Sequence, residues 1–194
     1  MQGHPGIAKV QEYGCGALGK LAGDDENEVS IAAAGGVAAV LAAMQGHSSN
    51  AEVQAYGCRA LGNLAGNDEN TDRIAAAGGI GIVLAAMQGH PGIAEVQAYG
   101  CGALGKLAGD DENAVSIAAA GGIGIVLAAM QGHSGNAEVQ EYGCGALQNF
   151  ARNAENKISI AEAGGIAAVA AAMQGHSSNH VVLRAAHTAM SMLI

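Results

Sequence analysis

Met-Gln-Gly-His opens the chain and returns at Met44, Met87, Met130 and Met173, always 43 residues later. The text between is close to copied: NLAGNDENTDRIAAAGGIGIVLAAMQGH at 63–90 becomes KLAGDDENAVSIAAAGGIGIVLAAMQGH at 106–133. No insertion separates the copies. The chain therefore divides into units 1–43, 44–86, 87–129 and 130–172 with a partial unit 173–194, all within one repeat domain, 1–194. A fixed period of this length restricts the fold to stacked helical repeats or propeller blades. Blades need short strands rich in β-branched and aromatic residues. These units carry Ala-rich runs of helical length, no Trp and a single Phe. The expectation is an all-α solenoid in which each copy forms part of its neighbour's core.

One unit reads as three helices. The longest covers Asn50 to Ala65, where Val53, Gly57, Ala60, Leu61 and Leu64 make an apolar stripe with Cys58 at its edge. Ser49 with Glu52 predicts a capping box at its start, and Gly66 its end. Asn-Asp-Glu-Asn then supplies acidic residues and a cap for a short helix, Thr71 to Ala77. Gly78-Gly79 breaks that helix, and a third runs from about Ile80 to Gln88.

The four cysteines, Cys15, Cys58, Cys101 and Cys144, share the period of 43. One equivalent position per copy predicts reduced core thiols rather than a disulfide framework. The formal net charge of -9 disfavours phosphate backbones and anionic lipid, so neither nucleic acid nor membrane is an expected partner. No signal-peptide pattern is present. Uncharged apolar runs such as Ile31 to Met44 fall short of the roughly 18 residues a membrane span needs. A soluble cytoplasmic protein is expected.

The segment EVQAYGCRALGNLAGNDEN…IAAAGGIGIVLAAM resembles the armadillo repeat family over nearly the whole chain, the Gly-Gly break favouring armadillo over HEAT repeats. The resemblance implies a right-handed superhelix of three helices per repeat, with the long third helices lining a concave groove. It also implies binding of an extended peptide by an Asn near the end of each long helix, beside a Trp one turn earlier. Here the Asn positions are Lys20, Asn63, Lys106 and Asn149, and the Trp positions are Gly16, Arg59, Gly102 and Gly145. Half of the Asn ladder is kept and the Trp ladder is gone. A Tyr series, Tyr13, Tyr56, Tyr99 and Tyr142, lies one turn before the Trp positions on the groove side. Its rings either cover the neighbouring glycines or contact a ligand. Contact residues are thus expected at Tyr13, Lys20, Tyr56, Arg59, Asn63, Tyr99, Lys106, Tyr142 and Asn149. Units one and three share HPGIA and GKLAGDDEN, whereas units two and four have Asn on the ladder, so the larger period is 86.

No metal, cofactor or catalytic site is expected. Zinc needs four ligands around one point, and equivalent His or Cys residues in stacked helices lie roughly 8–10 Å apart. The Gly-Asp-Asp-Glu-Asn segments lack calcium-loop spacing and serve as helix caps. The glycine pairs lack a following Gly-Lys-Ser/Thr. His4, His47, His90, His133 and His176 are expected to cap turns at the edge of the solenoid. Interior glycines, among them Gly14, Gly16, Gly19, Gly57 and Gly62, each weaken their helix unless packing uses them.

At the last helix, His180, Arg184, His187, Thr188 and Ser191 share one polar face, a partial cap. The first helix shows no such change, so an apolar N-terminal end that favours homo-oligomers is expected. Two functional expectations follow. One is a non-enzymatic scaffold binding a protein or extended peptide, with the acidic edge drawing basic partners. The other is an engineered or recently duplicated array with no dedicated ligand.

Overall fold

The computed structural model describes the backbone of residues 1–194 and every side chain but that of Asp25. Among the described residues it holds thirteen helices and no strand. They fall into three rows. The long helices are α1 (Ala8–Leu21), α4 (Ala51–Leu64), α7 (Ala94–Leu107), α10 (Ala137–Phe150) and α13 (His180–Leu193). Short helices α2 (Asp25–Ala33), α5 (Asp68–Ala76), α8 (Asp111–Ala119) and α11 (Ala154–Glu162) form the second row. The third contains α3 (Gly36–Gly46), α6 (Gly79–Gly89), α9 (Gly122–Gly132) and α12 (Gly165–Gly175). Each long helix packs against the next, giving the α-solenoid that the period requires. No single helix is long and apolar enough to cross a membrane.

Two predicted boundaries move. The cap of α4 is Asn50, not Ser49: the extended backbone falls at Asn50, whose Oδ1 accepts from Val53 N–H at 2.9 Å. The short helix starts at Asp68 rather than Thr71, because Asn67 is the cap and accepts from Asn70 N–H at 3.2 Å. Asp68 and Glu69 thereby lie inside the first turn, where carboxylates meet the positive end of the helix dipole. Asn70 is released for packing and is buried.

The glycine pair performs two separate tasks. Gly78 has φ 77°, the left-handed region that a Cβ disfavours. Gly79 has ordinary helical geometry, but a Cβ there would lie 2.8 Å from the Ile74 carbonyl oxygen. The chain turns by 73° at the equivalent pair between α8 and α9.

The core is built from small residues set against one another. A Cβ on Gly62 would stand 3.3 Å from Cα of Ala103, and Gly19 and Gly105 meet Ala60 and Ala146 in the same way. Met44, Met87 and Met130 fold over Gly57, Gly100 and Gly143 of the following long helix. The predicted stripe Val53, Ala60, Leu61 and Leu64 is fully buried, and Cys58 sits inside it rather than at its edge.

Polar side chains fasten the turns. Gln54 is 2% exposed, and its Nε2 donates to the carbonyls of Met44 and His47, at 2.9 and 3.0 Å; Gln97 and Gln140 repeat this. The His row does more than cap its own turn. His47 Nε2 donates to Pro5 carbonyl at 2.8 Å, and His90, His133 and His176 do the same to Ser48, Pro91 and Ser134. A carbonyl only accepts, so Nε2 carries the proton in each. On α13 the side chains of His180, Arg184, His187, Thr188 and Ser191 are all exposed.

These contacts sort the interior glycines. Gly145 has nothing within 4 Å of a prospective Cβ, and at Gly16 the nearest atom is a Tyr56 ring carbon at 3.8 Å. Gly145→Ala and Gly16→Ala should each stabilise the fold by about 0.8–1 kcal/mol. Gly62→Ala, against the Ala103 backbone, should lower stability. Denaturant melts of the three variants check the ordering.

Candidate functional site

The middle and C-terminal parts of α4, α7 and α10 line an open cavity of about 390 Å³. It gathers six of the nine predicted contact residues: Arg59, Asn63, Tyr99, Lys106, Tyr142 and Asn149. Glycines form its floor, notably Gly102 and Gly145, where the resemblance would place Trp. The other three lie outside it. Tyr56 is half-buried with its ring against Gly16. Tyr13 is 68% exposed, with Lys9 Nζ 5.6 Å from its ring centre. Lys20 is exposed at the end of α1.

Gln148 also lines the cavity and was not anticipated. Its signal was present: it replaces the glycine of Gly19, Gly62 and Gly105 in the fourth unit alone.

The Tyr rings bridge neighbouring units. Tyr56 lies on Gly16 and Tyr142 on Gly102, each across a joint between long helices. At the joint between α4 and α7 the glycine is replaced by Arg59, whose guanidinium sits 5.7 Å from the Tyr99 ring centre. Covering the glycine is thus one role the rings fill. Burial first, then the carboxylate of Glu138, raises the hydroxyl pKa of Tyr99 and Tyr142, so both stay protonated donors.

The ladder asparagines have a structural task. Asn63 Nδ2 donates to Gly19 carbonyl at 2.7 Å, and Asn149 Nδ2 donates to Gly105 carbonyl at 2.7 Å. Each satisfies a last-turn carbonyl of the preceding long helix, a group helices leave unpaired. One amide hydrogen and the Oδ1 of each remain for a further partner.

Asn70 and Asn156 act alike in the short row, donating to the carbonyls of Glu28 and Ala114 at 3.2 and 3.1 Å. Asn113, at the equivalent position between them, has a buried Nδ2 without a partner among the described residues. The 86-residue period therefore appears in the hydrogen bonds. The first and third joints have amide stitches in two rows, while the second has Arg59 on Tyr99.

Cys58 and Cys101 are among the residues lining the cavity, fully buried and not joined in disulfides. Among the described residues no three His, Cys, Asp or Glu side chains meet in a metal-binding group. Burial pushes the thiols of Cys58, Cys101 and Cys144 up to about 12, from an ordinary value near 9. The unfolded chain therefore releases these protons first. Their stabilising contribution is complete below pH 9 and is lost as pH rises toward 12. The triple variant Cys58→Ala, Cys101→Ala, Cys144→Ala should lose Tm less steeply above pH 9 than the parent chain, read by thermal melts across pH.

A family model described as LRRK2 ARM repeat matches residues 33–193. A solved structure described as an engineered protein, from the Northeast Structural Genomics Consortium, is 29% identical with a TM-score of 0.81. That match covers 96% of this chain and 44% of the other, so this chain spans under half of its length. A second engineered protein from the same consortium is 23% identical with a TM-score of 0.56, over 96% of this chain and 91% of its own, and is similar in fold alone. No curated protein is similar enough to match. With three-helix units stacked through their long helices and a family model covering most of its length, the chain belongs to the armadillo repeat family.

Proposed function

We propose that the protein is a non-enzymatic interaction scaffold that takes a protein segment or extended peptide on the concave face of its long helices. One observation carries this reading: Arg59, Asn63, Tyr99, Lys106, Tyr142 and Asn149 converge on a single cavity. Protonated tyrosines, a guanidinium and two positioned amides suit a peptide, which offers alternating donors and acceptors along its length. Catalysis needs an asymmetric constellation of nucleophile, base and oxyanion donors, and repeated units present the same surface several times over.

Gly145 provides the test. A Cβ there meets nothing within 4 Å, and Gly145 lines the cavity, so a larger side chain would occupy it. Peptides selected on the immobilised chain from a random display library should bind in solution and lose about tenfold or more in affinity to Gly145→Leu. The variant should keep its Tm. Equal affinity for parent and variant would remove the cavity from the interaction.

A second reading is an engineered or duplicated array with no dedicated ligand, self-associating through its ends. The similarity to an engineered protein supports it, as does the first unit's exposed apolar surface. Leu21 is 54% exposed, whereas its counterparts Leu64, Leu107 and Phe150 are fully buried. A shallow depression of about 590 Å³ beside it is lined by Met1, Leu18 and Ile31 among others. On this reading light scattering shows mass rising with concentration, and Leu21→Glu suppresses the rise. A parent chain that stays monomeric throughout would count against it.

A further inference from the structure

We infer that the cavity on the long-helix face is an anion subsite, and that its occupant is an extended segment carrying an acidic side chain midway between two backbone anchors. The inference rests on the interaction reading above and specifies its occupant.

Charge supplies the first argument. The chain has 17 acidic and 8 basic residues, yet Arg59 and Lys106 line the cavity and no Asp or Glu does. The ion pairs present among the described residues, Lys9 with Glu12 and Arg73 with Glu69, lie elsewhere. Arg59 rests on the face of Tyr99, which holds the guanidinium plane and leaves its edge N–H groups available. The carboxylates of Glu95, Glu138 and Glu141 act on the tyrosine hydroxyls from the N-terminal parts of α7 and α10. Lys106 stands in the last turn of α7, at the opposite end. A basic side chain entering between Arg59 and Lys106 would meet like charge, whereas a carboxylate would gain charge-assisted hydrogen bonds.

Spacing supplies the second. Asn63 and Asn149 are two units apart, which at the usual helix-packing distance of 8–10 Å is roughly 16–20 Å. An extended chain rises about 3.3 Å per residue, so the two amides sit about five to six residues apart along a bound segment. Each amide is already fixed by its bond to Gly19 or Gly105 carbonyl and still offers Oδ1 and one N–H. Those are the two groups a peptide unit requires. Lys106 occupies the same register between them and can only donate. The segment is therefore anchored by its backbone at both ends and read by charge in the middle. The acidic outer edge, expected from sequence to draw basic partners, is a different surface from this cavity.

The test selects random displayed dodecapeptides on the full chain at low salt. The expected winners carry Asp or Glu near the middle. Replacing that residue by Lys weakens binding about tenfold or more, and added salt weakens the acidic peptide too. Lys106 is exposed, so Lys106→Glu leaves the fold intact, as a melt will verify, and turns the preference toward a central Lys or Arg. Winners that are basic or indifferent to charge, yet still sensitive to Gly145→Leu, overturn the anion subsite and leave the interaction reading standing. If no peptide is enriched on the parent chain, both fall together.

Discussion

The structure depends on how closely one long helix approaches the next. Gly62 meets the Ala103 backbone so closely that an added methyl group would press the neighbouring helix outward by a few tenths of an ångström, and Gly19 and Gly105 repeat that contact against Ala60 and Ala146. Glycine in a helix interior costs about 1 kcal/mol relative to alanine. Here the loss is offset by bringing two backbones together, so that Leu61, Leu64, Leu104 and Leu107 are fully buried between adjacent units. The core's shortage of aromatic bulk follows: helices this close leave little volume to fill, and Phe150 is the largest fully buried side chain.

Close approach also sets the reach of the polar side chains. Asparagine and histidine span from one unit to the backbone of the one before only because the units sit at a fixed short distance. The imidazoles join every pair of units that the described residues show, whereas the amides of the long and short rows skip the central joint. At that joint Arg59 covers Tyr99 and Lys106 takes the ladder position. Lys106 replaces the long-row amide and, with Arg59, brings positive charge into the cavity.

Much of this was legible in the sequence. The three helices, the glycine break and the reduced cysteines follow from a 43-residue period combined with helical spacing, whereas the ladder positions come from the resemblance to armadillo repeats. Helix starts were less legible, because Ser49, Asn50, Asn67 and Asn70 are all competent caps and only the local backbone selects among them. Gln148 is not singled out by the repeat pattern because its deviation stands at one position in one unit. Asn63 and Asn149 were read as groove-facing groups, and nothing in their own helix shows that Gly19 and Gly105 carbonyls lie within reach.

Sequence alone determined that this chain is a stack of helical units. A 43-residue segment with one apolar face has nothing to bury it against except another copy of itself, and that follows from pattern without coordinates. Tertiary structure decided which partner each polar side chain takes: Asn63 the carbonyl of Gly19, His47 that of Pro5, Tyr56 the face of Gly16. Hydrophobic burial is non-directional and can be read from periodicity. Hydrogen bonds and ring contacts depend on a few tenths of an ångström between units, and that spacing exists only once the helices have packed.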